Sequence, residues 1–126
     1  MHIAIQQKSR SEQDKSGVLT KAVKSVAQHL GLSNIELADI LGISTASVTR
    51  LYRGRAIKEK KEIELAVLLV RLYRSLDAMV GGDSAKAIKW FKAFNHHLNG
   101  VPSERAKTVE GLVDVVQYLD AMRGKL

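Results

Sequence analysis

Ser44, Thr45, Ser47, Thr49, Arg50 and Arg53 put hydroxyls and guanidinium groups along one short stretch of chain. Hydroxyls of this kind pair with base edges and phosphate oxygens, and a guanidinium offers two parallel donors to a guanine or a phosphate. Arg55 and Lys58 follow, and no acid occurs from Leu41 to Lys58. The stretch Arg50 to Lys61, RLYRGRAIKEKK, carries six positive charges against one Glu. A charge run is usually a solvated face. Next to a polar helix that could enter a groove, this one suits contacts to nucleic-acid phosphates.

Such side chains need an element that presents them, and the flanking residues describe one. Residues Asn34 to Arg53, NIELADILGISTASVTRLYR, have Ala38 where two helices would cross closely, Gly42 at the turn and Val48 anchoring a second helix. Leu37, Leu41, Ile43 and Leu51 fill the apolar positions between them. Glycine reaches positive φ without steric cost, which suits Gly42 to the turn. Ser44 is placed to cap the second helix. This order of residues is that of a helix-turn-helix, whose second helix lies in the DNA major groove. An ordinary αα-hairpin has the same apolar pattern, but its second helix has no need of a hydroxyl-rich, acid-free face.

Bulk properties agree. The 126 residues carry a net charge of +7. Residues 1–62 hold 11 basic and 6 acidic residues, and residues 63–126 hold 9 and 7, so the positive excess lies with the helix-turn-helix half. That asymmetry favours nucleic acid over a membrane surface, because no long helix is apolar on one face and basic on the other. Cysteine is absent, which excludes disulfides, thiolate metal sites and a cysteine nucleophile. The N-terminal residues lack the apolar core of a secretory signal, and the longest apolar run, Leu65 to Val70, is far too short for a bilayer span. The expectation is a soluble, cytoplasmic protein.

The periodicity predicts an all-α fold of about seven helices. Residues 1–16 are expected as a mobile arm, 17–62 as the DNA-binding domain, and 63–126 as a helical domain for dimerisation and partner binding. Val18 to Leu30 repeats apolar residues at helical spacing. Ser33 and Glu36 form a capping box for the next helix. A long helix from about Lys58 to Val80, apolar over most of its circumference between Leu65 and Leu76, is expected to be the central post or part of a dimer seam. A fifth helix is expected from Asp83 or Ser84 to Leu98, a short one from Ser103 to Val109 broken by Gly111, and a last one from Leu112 to Gly124. Trp90, Phe91 and Phe94 are expected in the core.

Enzyme chemistry has little support. His96 and His97 are adjacent, so on a helix they point about 100° apart and cannot readily share one metal. No nearby acid completes a site. Carboxylates are scattered singly, and there is neither a P-loop nor a GxSxG motif. No cofactor or metal is expected.

The N-terminal half resembles the Xre/Cro class of helix-turn-helix regulators. In the second half the order is Gly82, Ala87-x-x-Trp90-Phe91, Asn95-x-x-Leu98-x-Gly100-x-Pro102, a short helix to Gly111, and then Val113-x-x-Val116-x-x-Leu119. This resembles the toxin-binding domain of Xre/MbcA/ParS-type antitoxins. Phe91 stands in place of the family's usual Leu, Pro102 falls one residue early, and His96-His97 replaces small or proline residues.

The resemblance implies the antitoxin of a bacterial type II toxin–antitoxin pair. It implies a dimer that neutralises a RES-type, NAD-consuming toxin by covering its active site and represses its own operon through operator DNA. On this reading the surface around Gly100, Pro102 and Gly111 meets the toxin. Arg123, Lys125 and Leu126, in a short charged tail, plug its active site. The alternative is a stand-alone dimeric repressor whose C-terminal helices only dimerise or sense a small ligand.

Overall fold

The computed structural model describes the backbone of residues 2–125 and the side chains of residue 11 and residues 13–125. Among the described residues there are seven helices: α1 (His2–Leu30), α2 (Asn34–Leu41), α3 (Thr45–Tyr52), α4 (Lys60–Met79), α5 (Ser84–Lys92), α6 (Pro102–Arg105) and α7 (Val109–Arg123). The only pairing of extended chain among them is an isolated antiparallel bridge between Asn95 and Gly100.

α4 is the central post. It packs most extensively along α7 and α1, and also against α2 and α5. Neighbours on several sides explain an apolar surface that covers most of the helix: Ala66, Leu69, Leu72 and Leu76 are fully buried. The apolar excess from Leu65 to Leu76 is therefore largely consumed within the chain, with Val67 left about half exposed. Ser75, also fully buried, donates to Asp120 Oδ1 at 2.8 Å, and Arg71 pairs with the same carboxylate, so α4 and α7 are locked in register.

Local signals set the ends of the helix-turn-helix. The Ser33 hydroxyl accepts from the Glu36 amide at 3.1 Å, while Glu36 Oε1 accepts from the Ser33 amide at 3.2 Å, the reciprocal capping box that the sequence predicts. Gly42 closes α2 at φ 68°, and an added Cβ there would lie 3.4 Å from Leu65 Cδ1. Ser44 caps α3 by accepting from the Ser47 amide at 3.1 Å.

Four expectations are corrected. The helix expected from Val18 begins at His2, so residues 2–16, expected as an arm, continue α1; they contain no proline, and Gly17 does not break the helix. The domain division at residue 62 falls inside the first turn of α4, a helix shared by both halves. α5 stops at Lys92 instead of Leu98, because the chain from Asn95 to Gly100 closes into a turn of its own. Gly111 does not break a helix but lies in the first turn of α7, which Thr108 caps by accepting from the Gly111 amide at 3.1 Å.

The link from α3 to α4 is tied to α1. The Thr20 hydroxyl accepts from the Ile57 amide at 2.9 Å, and the Ser16 hydroxyl donates to the Ile57 carbonyl. Both backbone groups of the fully buried Ile57 are thus satisfied by side chains, as burial requires.

Candidate nucleic-acid and partner interfaces

α3 is a short amphipathic helix. Val48 and Leu51 face the core, fully buried, and its main packing partner is α2. The outward face keeps Thr45, Arg50 and Arg53 exposed, with Ser47 and Thr49 half-buried. Ser44 and Ser47 are joined through their hydroxyls at 3.1 Å, and Arg50 Nη2 donates to Ser47 Oγ at 3.1 Å. Thr49 Oγ1 is turned back onto the Thr45 carbonyl at 3.2 Å. The result is a guanidinium steered by a serine on an exposed helix face, with the N-terminal end of the helix free of acidic side chains.

Two of the predicted contact residues separate from this face. Arg55 is drawn inward: its Nη2 donates to both oxygens of Glu62, at 3.0 and 3.3 Å, and Glu62 is nearly buried. A phosphate would have to compete with that partner, so the structure assigns Arg55 to holding α4 against the α3–α4 link. Lys58 is exposed but lies beside α1, lining a groove of about 600 Å³ with Lys15, Leu19 and Ile63. Tyr52, the last residue of α3, is 42% exposed on the recognition helix and was missed.

Substituting Arg50 by alanine is expected to weaken specific operator binding by ~1–3 kcal/mol while leaving non-specific binding nearly unchanged. A gel-shift series on specific and random duplexes checks it, and full retained affinity for the operator removes Arg50 from the base-reading set.

In the C-terminal half the residues predicted to meet a partner play unequal parts. Pro102 and Gly111 are buried and build the scaffold. Pro102 is the first residue of α6. Gly111 lies directly against the Arg105 carbonyl, which would be 1.9 Å from an added Cβ. Gly100 is half-buried beneath the Arg105 side chain, 3.2 Å from where its Cβ would be. Arg105 in turn reaches Asp114 Oδ2 at 2.5 Å. These residues shape the surface without forming it. Arg123 and Lys125 are exposed at the end of α7, and Leu126 lies outside the described residues.

Of the three aromatic residues expected in the core, Phe91 is fully buried and Trp90 half-buried, but Phe94 is 56% exposed. It follows the early end of α5, where the chain has already left the helix that would have turned it inward. His96 and His97 are both exposed, in the turn after α5 rather than on a helix.

Among the described residues, Glu36 on α2 forms an ion pair with Lys92 on α5. Burial works to raise the Glu36 pKa, but the Lys92 ammonium and the Ser33 amide outweigh it and hold the carboxyl below its ordinary value of 4.5. A lowered folded-state pKa means stability that is fully present above the unfolded value and lost as pH falls through the folded one. Glu36→Gln should therefore flatten the fall in melting temperature below about pH 4.5 while having less effect on that slope near neutrality. Thermal melts of both proteins across that range check it.

Among the described residues no cluster of His, Asp and Glu is placed to hold a metal ion, and no helix is long and apolar enough to cross a membrane. Comparison with known families gives two matches. Residues 9–71 match the Xre-like antitoxin helix-turn-helix domain, and residues 75–125 match the C-terminal toxin-binding domain of Xre/MbcA/ParS antitoxins. The two matched segments meet within α4. No curated protein matches the chain.

Proposed function

The chain belongs to the Xre-like helix-turn-helix antitoxins, and from that premise we propose that it neutralises a RES-type, NAD-consuming toxin and represses its own operon. The helix-turn-helix and the toxin-binding domain make it a type II antitoxin with a DNA-binding module. Both modules are binding domains, consistent with a regulatory protein rather than an enzyme. The RES identity comes from the resemblance of the Gly82 to Leu119 pattern to the toxin-binding domain of that antitoxin family.

The observation that carries the reading is the division of surfaces. α3 offers an acid-free polar face with Arg50 and Arg53 exposed, whereas Gly100 to Met122 holds four acids against two bases. The first suits phosphate and bases. The second suits a protein. A homodimer presents two copies of α3 to a two-fold operator, and light scattering at tens of micromolar reads that state.

Toxin neutralisation is assigned to the folded surface of the C-terminal domain together with the Arg123–Leu126 segment, which blocks the active site. Arg123 pairs there with an acid, in the manner of charge-assisted contacts. Deleting Arg123–Leu126 is expected to leave operator binding intact and to reduce growth rescue in cells co-expressing the toxin. Full rescue by the truncated chain assigns inhibition to the folded surface alone.

A further inference from the structure

The C-terminal domain carries an aromatic surface that runs from side chains packed on the core out to solvent. The Trp90 and Tyr118 rings lie 6.2 Å apart and 12° from parallel, bridging α5 and α7. His97 stacks on Tyr118 at 5.6 Å, extending the ladder outward. Beside it Phe94 meets His96 edge to face at 5.1 Å. Phe94, His96 and His97 are exposed, and Trp90 and Tyr118 are half-buried.

The turn that presents them is held firmly. Asn95 and Gly100 exchange both backbone hydrogen bonds, at 2.9 and 3.2 Å. The Asn95 side chain accepts from the Leu98 amide at 3.1 Å, Leu98 is 8% exposed, and Asn99 takes a left-handed φ of 51°. With Leu98 anchored inward, the two histidines and Phe94 are forced out on a fixed backbone. Exposed aromatic residues on a rigid frame are typical of interface anchors, because they bury a large area and lose few rotatable bonds on binding.

We propose that this aromatic ladder is the anchor by which the chain grips its protein toxin, whose matching surface is an apolar pocket. The proposal rests on the antitoxin reading and deepens it. The ladder lies within residues 75–125, the segment matched by the toxin-binding domain, and the charge around it is mixed: Asp114 lies one turn before Tyr118 on α7. Lys86 lies one turn before Trp90 on the same face of α5 and is exposed, and Arg123 and Lys125 are exposed at the end of the helix that carries Tyr118. The ladder provides the area of the interface. A nucleic-acid partner is disfavoured because Gly100 to Met122, the segment that carries Tyr118, holds four acids against two bases.

The test compares wild type, Phe94→Ala and Phe94→Ala/His97→Ala for binding to the purified product of the gene adjacent to this chain's own. Both substituted side chains are exposed, so melting temperatures should match wild type. The expected result is at least a tenfold rise in Kd for the double variant, with operator affinity and oligomeric mass unchanged. Equal affinity of wild type and double variant overturns the anchor while leaving the antitoxin reading in place. A loss of self-association or of operator binding overturns it in favour of a second copy or DNA. A wild-type chain that does not bind the adjacent product overturns the antitoxin reading and the anchor together.

Discussion

Alanine at Gly111 is expected to unfold the C-terminal half of the molecule under conditions where the wild type is stable. A Cβ at this position would stand 1.9 Å from the Arg105 carbonyl oxygen, 2.7 Å from its carbon and 2.9 Å from Thr108 Oγ1. Two of these atoms are backbone, so no rotamer change relieves the clash. Relief requires α6 to move away from α7, and that motion would also disturb the ion pair between Arg105 and Asp114. Overpacking of a side chain typically costs about 1–3 kcal/mol, and a backbone clash lies at or above the top of that range. At about 2–8 °C per kcal/mol for chains of this size, the melting temperature should fall by roughly 10 °C or more. A thermal melt followed by circular dichroism reads it, and a variant that melts with the wild type would show that α6 and α7 are not packed this closely.

Phe91→Ala is expected to destabilise the protein by about 3–5 kcal/mol, the usual cost of removing a fully buried aromatic ring. Phe91 is 0% exposed and belongs to the same core cluster as Leu30, Leu72 and Leu112, which ties α5 to α1, α4 and α7. Its loss should also loosen the frame that carries Trp90. Denaturant unfolding measures the change, and a loss under about 1 kcal/mol would mean that the cavity collapses and that α5 is not held by this ring.

The order of helices was legible because their ends are chemically marked. Ser33 with Glu36, Gly42, Ser44 and Asp83 each cap or close a helix in the structure. The outward polarity of Thr45 and Arg50 followed from the positions of Val48 and Leu51 on the same helix. What escaped the sequence depends on contacts between distant residues. Nothing near Arg55 shows that Glu62 will take its guanidinium from solvent. Gly111 looks like a helix breaker until the Arg105 carbonyl is placed against it. Phe94 looks like core because nothing in the sequence shows that α5 stops at Lys92, where the Asn95–Gly100 turn satisfies the backbone in place of the helix. The start of α1 was misjudged for a similar reason: a polar, mixed-charge segment without apolar periodicity can still continue a helix that is already nucleated further along the chain.

The central claim is that one chain holds DNA through α3 and a toxin through the helices after α4. Co-purification of the tagged chain with the product of the adjacent gene tests it most directly, using wild type and Arg50→Ala side by side with an operator gel shift on each eluate. The account predicts that both proteins retain the partner and that only the wild type shifts the operator at the lower concentration. A wild-type chain that shifts the operator but retains no partner would contradict it and leave a stand-alone repressor.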